Sequence, residues 1–209
     1  MDDNSVTLPK MGDQLFKEII GDWHNACLYP LKDDIWVNYI IGYRDAADIL
    51  VEYKKITKER DLLVYPIVFL YRQYIELQLK ALIRDVSRLL GKSEEDILKI
   101  IVNCKHRIDF LWKHFRTLLE KKWPEGDKTN LSTIENCINQ FCQVDPISIE
   151  YRYPIRKNGT DTLDNLEIFN IKHLSEVIKS IGDFLGAIHD PISIELEILR
   201  DHYESPNEW

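Results

Sequence analysis

An all-α fold is predicted for this 209-residue chain, a helical bundle of about five or six helices with a small extended or hairpin excursion near residues 147–169. Three observations carry the prediction. Apolar residues recur at spacings of three, four and seven over long stretches. Glycine and proline number only eight each, and several stand where helices should begin or end. The stretch Tyr65 to Ile83, YPIVFLYRQYIELQLKALI, is apolar on nearly every face, as befits a helix in a protein interior.

Residues 1–34 read as a mixed lead-in segment, with a short helix over Gln14–Ile20 and a stop at Pro30, which lacks a backbone donor. Asp33 and Asp34 can cap the next helix. Ile35–Ile56 carries Trp36, Tyr39, Ile40, Tyr43, Ala47, Leu50, Val51 and Ile56 at helical spacing, with Arg44, Asp45 and Glu52 largely between them. A second long helix is predicted from about Val64 to Leu90, with Pro66 in its first turn and Gly91 as its stop. Ser93, followed by Glu94, Glu95 and Asp96, opens a short helix over Glu94–Val102. The next helix covers about His106–Lys122 and ends before Pro124. A polar loop leads to another over Leu131–Gln143. From Ile147 to Pro154 the hydropathy alternates with a period of two, as in a half-buried strand. Asn158-Gly159 signals a turn, and Leu163–Phe169 could return as a second strand. Asn170 caps a helix over Ile171–His189, in which Gly182 and Gly186 would admit a close neighbour. One more short helix is predicted after Pro191.

The length suits one domain: the lead-in 1–34, a helical domain 35–190 and an acidic tail 191–209. A hydrophobic content of 44% is that of a folded protein. No uncharged run approaches the roughly 20 residues that cross a bilayer, and the acidic Met1-Asp2-Asp3-Asn4 does not open a signal peptide. Cys27, Cys104, Cys137 and Cys142 lack tight pair spacing, which predicts free thiols in a cytoplasmic protein. The net charge of −8 lies in the C-terminal quarter: residues 1–160 hold 24 basic and 24 acidic residues, residues 161–209 hold 3 and 11. Lys105 to Trp123, by contrast, carries six basic and two acidic residues plus His106 and His114. This balance argues against broad nucleic-acid coating and leaves room for one local basic cleft. There is no HExxH or CxxC, no Gly-rich phosphate loop and no GxSxG, so neither a metal site nor a cofactor is expected.

Three constellations could carry chemistry. Arg72, Glu76 and Lys80 align along one helix face. Charges on a buried helix must be paired or face a cleft, so they form either a structural ladder or a cleft wall that orients cations toward an anion. Arg107 and His114 stand two helical turns apart on one face. An Arg can stabilise phosphate charge and a His can move a proton near neutral pH, which together suffice to cleave RNA; the alternative is a solvated basic face opposite Phe110, Leu111, Phe115 and Leu118. Asp145 with Tyr151-Arg152-Tyr153 places an Arg between aromatics. That group could hold an anion, stack on a base, or pin the excursion to the helices through Glu76 or an aspartate.

The long amphipathic helix, YPIVFLYRQYIELQLKALI and KHRIDFLW together resemble the helical core of HEPN-domain proteins, over roughly residues 35–190. DPISIEYRYPIRKNG is similar to a segment of bacterial helical proteins with that core. The resemblance implies a bacterial protein of antiviral-defence or toxin–antitoxin type that binds RNA or a nucleotide. Many members are metal-independent RNases that use an Arg and a His with four to six residues between them at a dimer cleft. Carried onto this chain, it implies Arg107 and His114 as the catalytic pair, in a cleft shaped by Arg72, Glu76, Lys80, His106, Asp145, Arg152 and Tyr153. Ile108 stands where the family pattern has Asn, Asp or His after the Arg. The alternative is a non-catalytic interaction module, again a homodimer, whose acidic C-terminal quarter contacts a basic protein partner. Neither reading involves a membrane.

Overall fold

The apolar helix read from Tyr65–Ile83 is the axis of the structure. In the computed structural model, which describes residues 8–28, 34–56, 61–126, 128–164 and 166–204, the elements run α1 (Ile35–Ile56), a single 3₁₀ turn (Asp61–Leu63), α2 (Val64–Leu89), α3 (Glu94–Cys104), α4 (Ile108–Lys122), α5 (Thr129–Val144) and α6 (Ile171–Glu204). The all-α bundle is as expected, and no helix among the described residues is long and apolar enough to cross a membrane.

α2 packs against α1, α3, α4 and α6, which is why it is apolar nearly all round. Its Ile67, Tyr71, Ile75, Leu79, Leu82 and Val86 are buried with Ala47 and Val51 of α1, Leu111, Trp112 and Phe115 of α4, and Ile178, Ile181 and Leu185 of α6. The Tyr71 hydroxyl donates to Asp48 (2.6 Å) and lies 2.9 Å from the Ser175 hydroxyl, joining three helices. The end signals work as read. Gly91 takes a positive φ of 71°, with its N–H on Arg88 O and the Lys92 N–H on Ser87 O, which satisfies the last carbonyls of α2. Ser93 Oγ accepts from the Asp96 N–H, Asn170 Oδ1 from the His173 N–H, and Asp34 from the Trp36 N–H. Pro30 and Asp33 lie outside the described residues.

Three expectations change. Residues 147–154 and 163–169 are not strands. Asp145 Oδ1 takes the N–H groups of Ile149 and Glu150, Ser148 adopts φ 62°, and the Arg152 and Tyr153 N–H groups turn back onto Ile149 O. Several backbone donors a ladder would use are spent locally, leaving, among the described residues, one antiparallel bridge, Ile155 with Asp161, around the Asn158-Gly159 turn. Gln14–Ile20 is not helical: Gly12 and Gly21 at positive φ bracket it, and Asn25 bonds both backbone groups of Ile19. α6 does not stop at His189 but runs through Pro191 to Glu204. The carbonyl that Pro191 cannot serve belongs to exposed Ala187, where water can satisfy it. Beyond it Ile192 is fully buried and Glu195 pairs with Lys122 at 2.5 Å.

The two α6 glycines differ. A Cβ on Gly182 would collide with the hydroxyl of buried Tyr74, whereas one on Gly186 would meet nothing within 4 Å. Gly182→Ala should therefore cost about 1–3 kcal/mol by overpacking, and Gly186→Ala should gain up to about 1 kcal/mol of helix propensity. Thermal unfolding of the two variants beside the parent checks this through shifts of opposite sign.

Candidate functional site

The site builds outward from Arg72, whose side chain is fully buried. Its guanidinium fork points in three directions. Nε donates to the Asp145 carbonyl (3.1 Å), Nη1 to Glu76 (3.1 Å), and Nη2 to the carbonyls of His106 (2.5 Å) and Pro146 (3.4 Å). The Asp145 carboxylate adds charge at 3.5 Å from Nε. One side chain on α2 thus holds both the α3–α4 turn and the end of α5. A rigid planar fork suits that task better than a point charge does.

Glu76, also fully buried, is the hub. One oxygen accepts from Arg72; the other meets Lys80 Nζ at 2.7 Å and His106 Nδ1 at 3.0 Å. Burial pushes its carboxyl upward, but the hydrogen bond and charge of Lys80, helped by His106, hold it below the ordinary glutamate value. His106 sits in a tight turn. Lys105 before it has φ 50° and ψ −120°, a sparsely populated region for a non-glycine residue, and the bonds from Arg72 and Glu76 fix the residue after it. The imidazole is 56% exposed, and no described residue bonds its Nε2. This is the layout of an oriented proton acceptor: a buried carboxylate on one ring nitrogen, solvent on the other.

The neighbouring basic segment forms a surface strip. Arg107 is the N-cap of α4. Its guanidinium pairs with Asp109 and lies 4.2 Å from the Phe110 ring centroid, which it overhangs. Phe110, Lys113, His114, Thr117 and Lys121 are all exposed and recur at three and four residues, so they share the outer face of α4. The opposite face carries buried Leu111, Phe115 and Leu118. Phe110 thus lies on the basic face rather than opposite it.

Arg152 and Tyr153 are elsewhere. Both line an open cleft of about 1060 Å³ beneath the excursion, with Lys54, Tyr65, Glu150 and Phe169. The Arg152 guanidinium lies over the rings of Phe69 (5.6 Å) and Tyr153 (5.5 Å) and donates through Nε to Ser148 O. Among the described residues it pairs with neither Glu76 nor an aspartate. The structure therefore joins Arg72, Glu76, Lys80, His106 and Asp145 in one network, sets Arg107 and His114 on the strip beside it, and leaves Arg152 and Tyr153 in a separate cleft.

No family model, curated protein or solved structure matches this chain.

A second ionic cluster was not foreseen from sequence. Buried Asp85 is held by Arg84 (2.6 and 3.1 Å) and by His189 Nε2 (3.2 Å). Arg84 also reaches Asp34 and lies over Trp36. Burial raises the Asp85 carboxyl, and the His189 and Arg84 hydrogen bonds more than reverse that, leaving it below its usual value. An aspartate on the apolar helix α2 was the signal. His189, 104 residues away, could not be paired with it from spacing. In the excursion, Arg156 bonds both Glu150 and Asp164. No group of His, Cys, Asp and Glu suited to a metal occurs among the described residues, and all four cysteines are free.

Proposed function

We propose that this chain is a HEPN-like protein of bacterial defence or toxin–antitoxin type, cytoplasmic, which binds RNA or a nucleotide along the outer face of α4. One observation carries the reading: the exposed run Phe110, Lys113, His114, Thr117 and Lys121, with Arg107 stacked on Phe110 at its head. Cations that follow a phosphate backbone and an aromatic face that takes a base are what single-stranded nucleic acid binding needs. If the bound strand is cut without a metal, the geometry favours His106 over His114 as proton acceptor, because Glu76 fixes its Nδ1 and leaves Nε2 open. The ribose 2′-oxygen would attack the adjacent phosphorus as its proton passes to Nε2; the P–O5′ bond breaks and O5′ leaves protonated from solvent. The Arg107–Asp109 pair favours the alternative, a non-catalytic module, since it takes one cation from the strip.

Anisotropy titration with single-stranded RNA over a salt series tests the reading. Binding should weaken with a log–log slope of about −0.7 per phosphate contact. Lys113→Ala with Lys121→Ala should reduce that slope. Phe110→Ala should weaken binding by about 1–3 kcal/mol with the slope unchanged. Absence of binding at low salt would sink the proposal. Incubation with RNA in chelator settles catalysis. Loss of at least about 100-fold in His106→Ala, with His114→Ala near the parent, assigns the proton transfer to His106. The reverse pattern assigns it to His114, and binding without cleavage leaves the module.

A further inference from the structure

The lead-in segment carries large apolar side chains that the single chain leaves in solvent. Met11, Leu15, Phe16, Ile20 and Trp23 are 85–106% exposed and Ile19 is 53% exposed. Single exposed apolar residues are ordinary, but a dense run of them marks an interaction surface. Their spacing is the informative part. On a helical projection, Met11, Leu15, Phe16, Ile19, Ile20 and Trp23 fall on one half, with Gly12 and Asp22 among them, and Asp13, Gln14, Lys17, Glu18 and Gly21 fall on the other. Phe16, Ile20 and Trp23 stand at i, i+4 and i+7, the anchor pattern of a helix laid into a groove. So short a segment is below the length at which a helix holds alone in water. Its non-helical form in the single chain is the expected resting state of a helix that lacks its surface.

The same chain offers such a surface. Leu119 of α4, Trp123 at its C-terminal cap, Leu131 of α5, and Phe184 and Ile188 of α6 line a mostly apolar groove of about 280 Å³. That volume falls just short of the roughly 300 Å³ at which small-molecule sites begin, and is on the scale of a few inserted side chains. Lys128 lines the groove beside Glu120, which Arg116 pairs; the last turn of α4 brings Lys121, while Lys122 is already paired with Glu195. Asp13 and Glu18 flank the segment's apolar half, Asp22 lies just inside it, and Lys17 is the one cation of residues 11–23. An apolar arm with acidic edges and an apolar groove with a basic margin are complementary in both shape class and sign.

We infer that residues 11–23 fold into an amphipathic helix in the groove between α4, α5 and α6 of a second copy of this chain, the two copies exchanging arms about a two-fold axis. Exchange covers both unmet surfaces of each molecule with one self-complementary contact. It does not depend on the RNA-binding reading.

The test uses the full chain in light scattering. The parent should be a dimer at working concentration. Phe16→Asp in the arm and Phe184→Glu in the groove should each raise the dissociation constant by about 30-fold or more while circular dichroism still reports the folded bundle. Mixing the two variants is the deciding step. A mixture keeps one intact arm and one intact groove, so a heterodimer should appear that neither variant gives alone. A monomeric parent overturns the inference. So does a parent dimer that both variants retain, which places the contact elsewhere, and so does a mixture that stays monomeric, which places each arm on its own chain. If the groove variant fails to fold, Lys128→Glu at the margin replaces it, with weaker dimerisation expected; unchanged dimerisation counts against the inference.

Discussion

Arg72→Met is expected to destabilise the fold by about 3–5 kcal/mol, the cost of removing one partner from a buried ion pair. Met approximates the volume, so the loss is electrical rather than steric. Glu76 would keep Lys80 but lose its fully buried counter-ion, and the carbonyls of Asp145, His106 and Pro146 would lose their donor. Each buried acceptor left unmade adds about 1–3 kcal/mol before relaxation. Arg72→Lys should recover only part of this, because an ammonium cannot reach three directions at once. Glu76→Leu added to Arg72→Met should recover more, since it removes the stranded charge. Urea unfolding of the set measures the order. A cost below about 1 kcal/mol for Arg72→Met would show that the clamp is incidental to stability.

The second large effect is in acid. Glu76 and Asp85 both titrate below their ordinary values in the folded chain, against about 4.3 and 3.9 when unfolded. A carboxyl with a depressed folded value contributes stability that is fully present above the unfolded value and is lost as pH falls through the folded one. The midpoint temperature should therefore be flat with respect to these two groups above about pH 5 and fall progressively below about pH 4.5. Asp85→Asn tests one half of this. It should cost about 2–4 kcal/mol at neutral pH, because Arg84 and His189 face a neutral amide, and its acid limb should be shallower than the parent's. An acid limb as steep as the parent's would place the pH dependence in other carboxylates.

What could be read from the sequence depends on the range of each signal. Ser93, Asn170 and Gly91 act within a few residues, and they end and begin helices where read. The Tyr65–Ile83 helix was recognisable as the core because its side chains are apolar all round, and Arg72 with Glu76 because four residues is one turn. Periodicity does not supply the partners of these charges; the resemblance sets His106 and Asp145 in one cleft with Arg72, Glu76 and Lys80, and the structure brings the five together. His106 and Asp145 lie 34 and 73 residues from Arg72, and no periodicity joins them. The excursion failed for another reason: alternating hydropathy is shared by a strand and by a chain folded onto its own aspartate, and the Asp145 carboxylate decides between them. The proline rule, similarly, yields at Pro191, because the burial of Ile192 outweighs one missing backbone bond.

The Arg72 fork also bears on the order of events in folding. Its bonds close loops of 34 and 73 residues, so they form only after α3, α4 and α5 have all been brought to α2, when most of the loop-closure entropy is already spent. Contacts made that late are missing from the transition state, and their free energy acts on the exit from the native basin rather than the approach to it. The guanidinium therefore functions as a latch on native lifetime: it leaves the folding rate to the apolar faces of the helices and sets how long the assembled chain persists before it opens.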